Sequence, residues 1–208
     1  MTEQLKFIWN SFFSFYSLNE TQQNQFHKYL ELLTEWNEMH NITSITDPHS
    51  IILDHFWDSL SISKAINLNK INSIADVGSG GGFPIIPIKI AYPHLKIYPI
   101  EVNQKKVAFL EFLAEKLDLR DVFISDIDWR TFLRKSESKI EIFTARASLP
   151  VDELLRIFKP SSSYKESELI YWASKSWEPK AGQEKFISNE FDYKVGDKSR
   201  KLVFFKDI

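Results

Sequence analysis

Asp76, Gly78, Gly80 and Gly82 occupy alternate positions in the stretch SIADVGSGGGFP, Ser73 to Pro84. An acidic side chain followed by bare backbone lets a ligand come close to the main chain and meet its N–H groups, a pattern suited to nucleotide-like molecules. Two alternatives fit poorly. The dinucleotide fingerprint G-x-G-x-x-G would run Gly78, Gly80 and then Phe83, where glycine or alanine is required, so an NAD-linked oxidoreductase ranks last. A phosphate loop requires lysine directly after its glycines, and the next lysine here is Lys89. Other catalytic chemistries lack their parts. There is no cysteine, and His27, His40, His49, His55 and His94 form no metal-ligand pair at helical spacing, so no metal is expected.

The elements that position these residues follow from periodicity. Leu5, Ile8, Trp9, Phe12, Phe13 and Tyr16 form one apolar helical stripe, and Phe26, Tyr29, Leu30, Leu33 and Trp36 form another over residues 24–38. Asp47 and Pro48 read as the cap and first turn of a third helix carrying Ile51, Ile52, His55, Phe56, Ser59 and Leu60. From Ile71 onward short apolar runs alternate with helical patterns. Strands are expected at 73–77, 95–100, 122–125, 141–145 and 169–173, with helices at 85–91, 104–117, 129–135 and 151–158. Such alternation builds a mostly parallel sheet covered on both faces, and the tail EFDYKVGDKSRKLVFFKD reads as an antiparallel hairpin closing it. The chain thus divides into an N-terminal helical extension, 1–66, and a ligand-binding α/β domain, 67–208. A glycine-rich turn at the exit of the first strand lies where α/β sheets bind ligands.

Composition removes further classes. The formal net charge is −2, from 26 basic and 28 acidic residues, so bulk electrostatic coating of nucleic acid is excluded while a local basic patch is not. The first residues lack the pattern of a secretory signal, and no stretch is apolar for the roughly 18 residues needed to cross a bilayer. A cytoplasmic protein with no membrane partner is expected.

The spacing D-x-G-x-G-x-G resembles motif I of S-adenosylmethionine-dependent methyltransferases. That resemblance implies an acidic residue at the end of the next strand, holding the cofactor's ribose hydroxyls by charge-assisted hydrogen bonds, and Glu101 in IYPIEVNQKK takes that position. ISDID resembles the segment that meets the adenine ring, with Asp128 accepting from the exocyclic amine and Ile127 supplying its backbone N–H.

A closer resemblance rests on LLTEWNEMHNITSITDP, HFWDSLSI, IADVGSGGGFPIIPIKIAYP, KKVAFLEFLAEKLDL, TARASLPVDELL and RKLVFFK. Together these look like the RsmG (GidB) family of bacterial small-subunit ribosomal RNA methyltransferases. The resemblance implies a Rossmann-like class I methyltransferase fold whose mostly parallel sheet has seven strands. It also implies S-adenosylmethionine as cofactor, ribosomal RNA or the small ribosomal subunit as partner, and methyl transfer to N7 of a guanosine. Its cofactor residues fall on Gly78, Phe83, Ile127, Asp128 and Arg146, with Glu101 where an aspartate is usual. Ile85 and Ser176 replace glycines common in the family.

Guanine N7 carries a lone pair and no proton, so its methylation needs alignment rather than a general base. Asn41, His55, Asp58, Lys175 and Arg200 are the candidates for substrate contact, with Lys198 and Lys201 as further partners for RNA phosphates. The enzyme is expected to act as a monomer. A small-molecule methyltransferase, or a ribosome-associated protein without catalysis, would share the same turn.

Overall fold

The computed structural model describes residues 2–207. Six strands form one sheet in the order β2-β1-β3-β4-β6-β5. They are β1 Ser73–Val77, β2 Lys96–Ile100, β3 Ile142–Arg146, β4 Glu168–Ser174, β5 Ile187–Val195 and β6 Lys198–Phe205. The first four run parallel, β6 is antiparallel to β4, and β5 closes the hairpin. The chain leaves β1 for β2 on one side and returns to β3 on the other, which places the topological switch point at the carboxyl end of β1.

The sheet has six strands rather than the seven expected. Residues 122–125 lie along β2 but form only two isolated bridges, Ile97 with Val122 and Ile100 with Ser125. Pro99 explains the interruption. Its carbonyl accepts from the Ser125 N–H at 2.8 Å, yet it has no N–H to return to this neighbour.

Helices cover both faces. Thr2 caps α1, Glu3–Phe15, and its expected stripe of Ile8, Trp9, Phe12 and Phe13 is buried. The helix α2, Glu20–His40, begins earlier than periodicity indicates, because Asn19 and Gln22 form a reciprocal capping box. Asp47 caps α3, Pro48–Ile51, which continues through a wide π-helical turn, Ile52–Trp57, into α4, Asp58–Leu60. That run turns Asp54, His55 and Asp58 inward together. On the same side lie α5, Ile85–Ala91, and α6, Gln104–Lys116; on the other lie α7, Trp129–Lys135, and α8, Val151–Leu154. One apolar core joins α1 and α2 to α5, α6 and the sheet. The Gln22 amide donates to the Ile90 and Ala91 carbonyls, each at 3.0 Å, and the Gln25 amide to the Leu117 carbonyl at 2.7 Å, which locks α2 across the ends of α5 and α6. No helix among the described residues is long and apolar enough to cross a membrane.

Candidate functional site

A cavity of about 560 Å³ opens at the carboxyl ends of β1 and β2, lined by Gly78, Glu101, Val102, Lys106, Asp128, Trp129 and Ser148, among others. Asp76, one residue before the lining residue Val77, is fully buried in β1 and is not itself part of the cavity lining. Its Oδ1 accepts from the Thr144 hydroxyl at 2.8 Å, while Oδ2 is buried with no partner. Burial pushes its carboxyl up to about 7, with help from the Glu101 charge and against the lowering effect of the Ser79 hydroxyl, the Thr144 bond and the Arg146 charge. Ser148 Oγ, at the cavity wall, is likewise buried and unpartnered. It follows Ala147, a non-glycine residue held at φ 51°, a strained conformation of the kind that clusters at functional sites. Glu101 reaches back to the turn: its carboxylate accepts from the Gly80 N–H and the Asn103 N–H, both at 2.9 Å.

The glycines serve different neighbours. A Cβ on Gly78 would lie 2.5 Å from Ser148 Cβ, and one on Gly82 would lie 2.6 Å from the Tyr29 hydroxyl and 2.8 Å from Ile86 Cγ1. Protein therefore excludes side chains at both. Of the glycines in this turn, Gly80, at φ 56°, alone looks onto open space, with nothing nearer than 3.9 Å.

Next to the turn stands a buried ionic network. Arg146, at the end of β3, donates from Nη1 to Asp58 Oδ2 at 2.9 Å and to the Asp54 carbonyl at 3.1 Å, and from Nη2 to His55 Nδ1 at 2.6 Å. A guanidinium only donates, so Nδ1 of His55 must accept, and the ring's Nε2–H faces the Thr43 hydroxyl at 3.1 Å. Burial, reinforced by Arg146, lowers His55 to about 3 and keeps it neutral. Asp58 also accepts from the Tyr193 hydroxyl at 2.7 Å, and its carbonyl accepts from the Trp172 indole at 3.1 Å. Asp54 takes Lys198 at 2.6 Å and Arg200 at 3.0 Å; burial opposes its ionisation, but these two cations outweigh that and hold its carboxyl below the usual range. Phe83 is sandwiched between Tyr29 (5.3 Å, 10°) and His55 (4.2 Å, 15°), with the Arg146 guanidinium 5.4 Å from its ring.

The structure thus gathers the residues expected from the sequence into two groups. Asp76, Gly78, Gly80, Glu101 and Asp128 surround or adjoin the cavity, whereas Gly82, Phe83, His55, Asp58, Arg146 and Arg200 belong to the packed network beside it. Asp128 also caps α7, accepting from Thr131 N–H at 3.1 Å and Thr131 Oγ1 at 2.6 Å, and Ile127 is only partly buried beside it. Asn41 stands apart as the exposed left-handed cap of α2, between two smaller depressions. Lys175 pairs with Asp192 and Lys201 with Glu190, on the hairpin side. Ile85, in place of the family's glycine, is fully buried.

Asp54, Thr144, Ser148, Trp172 and Tyr193 were not singled out by sequence. Asp54 had a signal: it lies one helical turn before Asp58 and faces the same way. The others reach the site through tertiary packing alone. Among the described residues no group of three metal-ligating side chains converges.

Comparison with known proteins places this geometry. A family model described as rRNA small subunit methyltransferase G matches residues 22–201. The ribosomal RNA small subunit methyltransferase G of Listeria monocytogenes is 39% identical over 172 residues, covering 82% of this chain and 72% of that protein. Its Staphylococcus aureus counterpart is 50% identical over 110 residues, 52% of this chain and 46% of its own. Among solved structures, M. capricolum TrmK, in complex with S-adenosyl-homocysteine, superposes with a TM-score of 0.54 at 21% identity, covering 72% of this chain and 67% of its own. The human methyltransferase 10 domain containing protein superposes at 0.57 with 10% identity, covering 70% and 77%. These last two show the shared fold. The extent and identity of the first matches place this chain in the rRNA small subunit methyltransferase G family.

Proposed function

We propose that this protein transfers the methyl group of S-adenosylmethionine to N7 of a guanosine in small-subunit ribosomal RNA. The observation that carries the reading is the family match over residues 22–201, laid on a cavity with one buried, unpartnered polar atom in its wall, Ser148 Oγ, and a second, Asp76 Oδ2, in the strand that leads to it. An unpartnered buried polar group costs about 1–3 kcal/mol, so Asp76 Oδ2 and Ser148 Oγ fit a ligand that brings its own polar groups. The cofactor's ammonium and ribose hydroxyls match the carboxyl groups of Asp76 and Glu101.

Bound there, S-adenosylmethionine supplies an electrophilic methyl on a sulfonium. The chain's own task is placement. Glu101 has spent two of its roughly four acceptor sites on the Gly80 and Asn103 N–H groups and retains capacity for a diol. Gly80 leaves the turn open to the ligand, and Asp128 and Ile127 offer polar groups to its adenine end. Arg146 uses three of its five donors within the network and keeps two for cofactor or substrate. Phe83, His55, Asp58 and Arg200 fix that guanidinium rather than meet RNA. Asn41, on the surface, remains the candidate for substrate contact among the residues first nominated, while Lys175, also exposed, is paired with Asp192.

His55 cannot serve as a base, since Arg146 occupies its Nδ1 lone pair. A nucleophile with no proton to lose, as guanine N7 is, suits a site that orients and does not deprotonate. The protein acts as a monomer in the cytoplasm, where ribosomal subunits reside. Incubating it with methyl-labelled S-adenosylmethionine and small subunits lacking the modification should place label on guanine N7. Label on another atom, or turnover only of small molecules, would refute the assignment.

A further inference from the structure

Three of the cations first nominated for RNA phosphates are held on the hairpin by Asp192, Asp54 and Glu190, and Arg200 shares Asp54 and Asp58. A different set is less engaged. Arg130 and Arg134 stand one turn apart on α7, and Arg156 and Lys159 lie in and just after the helical turn that follows α8. With Ser161 and Ser162 they border a depression of about 190 Å³ that no carboxylate lines.

The acidic groups nearby do not balance them. Glu153 binds Arg130 through two hydrogen bonds of 2.9 and 2.7 Å and lies 3.9 Å from Arg156. The Arg130 bond, with help from Arg156 and Lys159, holds the Glu153 carboxyl below its usual range. Asp128, at the start of α7, is the other carboxylate that Arg130 and Arg134 feel. Four cations therefore face two carboxylates, in a chain whose formal net charge is −2. A larger depression nearby, about 790 Å³, is evenly balanced: Arg134, which borders both depressions, Lys135 and Lys139 are matched there by Glu137, Glu141 and Glu166.

Position adds to charge. Arg130 lines both the small depression and the large cavity at the switch point, so the basic groove opens on the cavity rim. Arg134 lies about 6 Å farther along the helix axis. The serine hydroxyls add neutral donors to the guanidinium and ammonium groups, a mixture suited to phosphate oxygens.

We propose that the groove between α7 and the turn after α8 seats the phosphodiester backbone of the substrate RNA beside the methyl-transfer cavity. The proposal rests on the ribosomal RNA reading and adds to it the surface that holds the strand. Specificity for the target base lies elsewhere, because phosphate contacts position an RNA without reading it.

The test is a pair of charge reversals, Arg134→Glu/Lys159→Glu, compared with Lys70→Glu/Lys96→Glu, which alters exposed lysines near the amino ends of β1 and β2. Binding to unmodified small subunits is measured across a salt series, S-adenosylmethionine binding by calorimetry, and folding by thermal melting. The groove variant should bind subunits at least about tenfold more weakly, with a salt slope reduced by about two, while cofactor affinity stays unchanged. Should that variant fail to fold, Arg134→Gln/Lys159→Gln should show a smaller affinity loss with a comparable loss of slope. Equal binding by groove and control variants overturns the groove and leaves the RNA reading intact. Binding that survives nuclease digestion of the subunits overturns it in favour of an acidic protein partner. Failure of the unaltered protein to bind subunits at all overturns both.

Discussion

The two sides of the glycine turn treat polarity in opposite ways. Around β1, Asp76 Oδ2 and Ser148 Oγ are buried without partners, and the carboxylate of Glu101 is shared between two N–H groups at the cavity rim. Around β3 and the hairpin, Arg146, Asp58, Asp54, Tyr193 and Trp172 are interlocked by hydrogen bonds from five separate segments. The network side is not fully satisfied, since Arg200 Nε is also buried without a hydrogen-bond partner, but its other groups answer one another, whereas Asp76 Oδ2 and Ser148 Oγ lie on the side proposed to take a ligand. Residues with identical chemistry thus have different work according to whether the protein itself answers them.

Asp58→Ala should separate the two sides most sharply. It strips an acceptor from Arg146 and Tyr193 and an ion-pair partner 3.3 Å away from Arg200, and removing one partner of a buried ion pair costs about 3–5 kcal/mol. Urea unfolding measures the loss, and a change below 1 kcal/mol would mean the network is not interlocked. The glycines divide likewise. Gly82→Ala, forced against Tyr29 and Ile86, should lose about 2–4 kcal/mol of stability. Gly80→Val should lose less, about 1–2 kcal/mol from its positive φ, yet abolish cofactor binding in calorimetry. Equal stability losses at the two positions would erase the distinction.

A further effect concerns pH. In the folded protein Asp76 keeps its proton up to about pH 7, whereas unfolded it releases it near its ordinary value of 3.8. Wild-type stability from this group is therefore lost as pH climbs from 4 to 7. His55 works the other way, because the unfolded chain takes up a proton below 6.5 that the folded one refuses down to about 3. Thermal melts of Asp76→Asn should show the variant gaining on wild type by about 2 kcal/mol between pH 5 and 7, leaving the rise due to His55 exposed. A constant difference across that range would place the Asp76 carboxyl at its ordinary value.

Local pattern carried the elements because burial follows periodicity: the stripe of α1, the strands of the parallel sheet and α7, Trp129–Lys135, lie where alternation and helical spacing put them. The missing seventh strand was legible in principle, since Pro99 stands inside LKIYPI and cannot donate to a neighbour on that side. The reason for two of the glycines was not. Gly78 answers to Ser148 and Gly82 to Tyr29, partners 70 and 53 positions away along the chain. The pairing of Lys175, Lys198 and Lys201 was hidden for the same reason: a lysine in a sequence looks free until the carboxylate that the fold brings to it is known, and for Lys198 that is Asp54, far off in the helical run.

The Tyr29 hydroxyl donates to the Gly81 carbonyl at 2.5 Å, and its ring stacks on Phe83. The glycine turn proposed to meet the methyl donor is thus gripped from behind by a helix belonging to the opening third of the polypeptide. A shortened version containing only the sheet and its covering helices would forfeit the brace that sets the turn's curvature, so the leading helices are a structural part of the proposed site and no mere attachment to it.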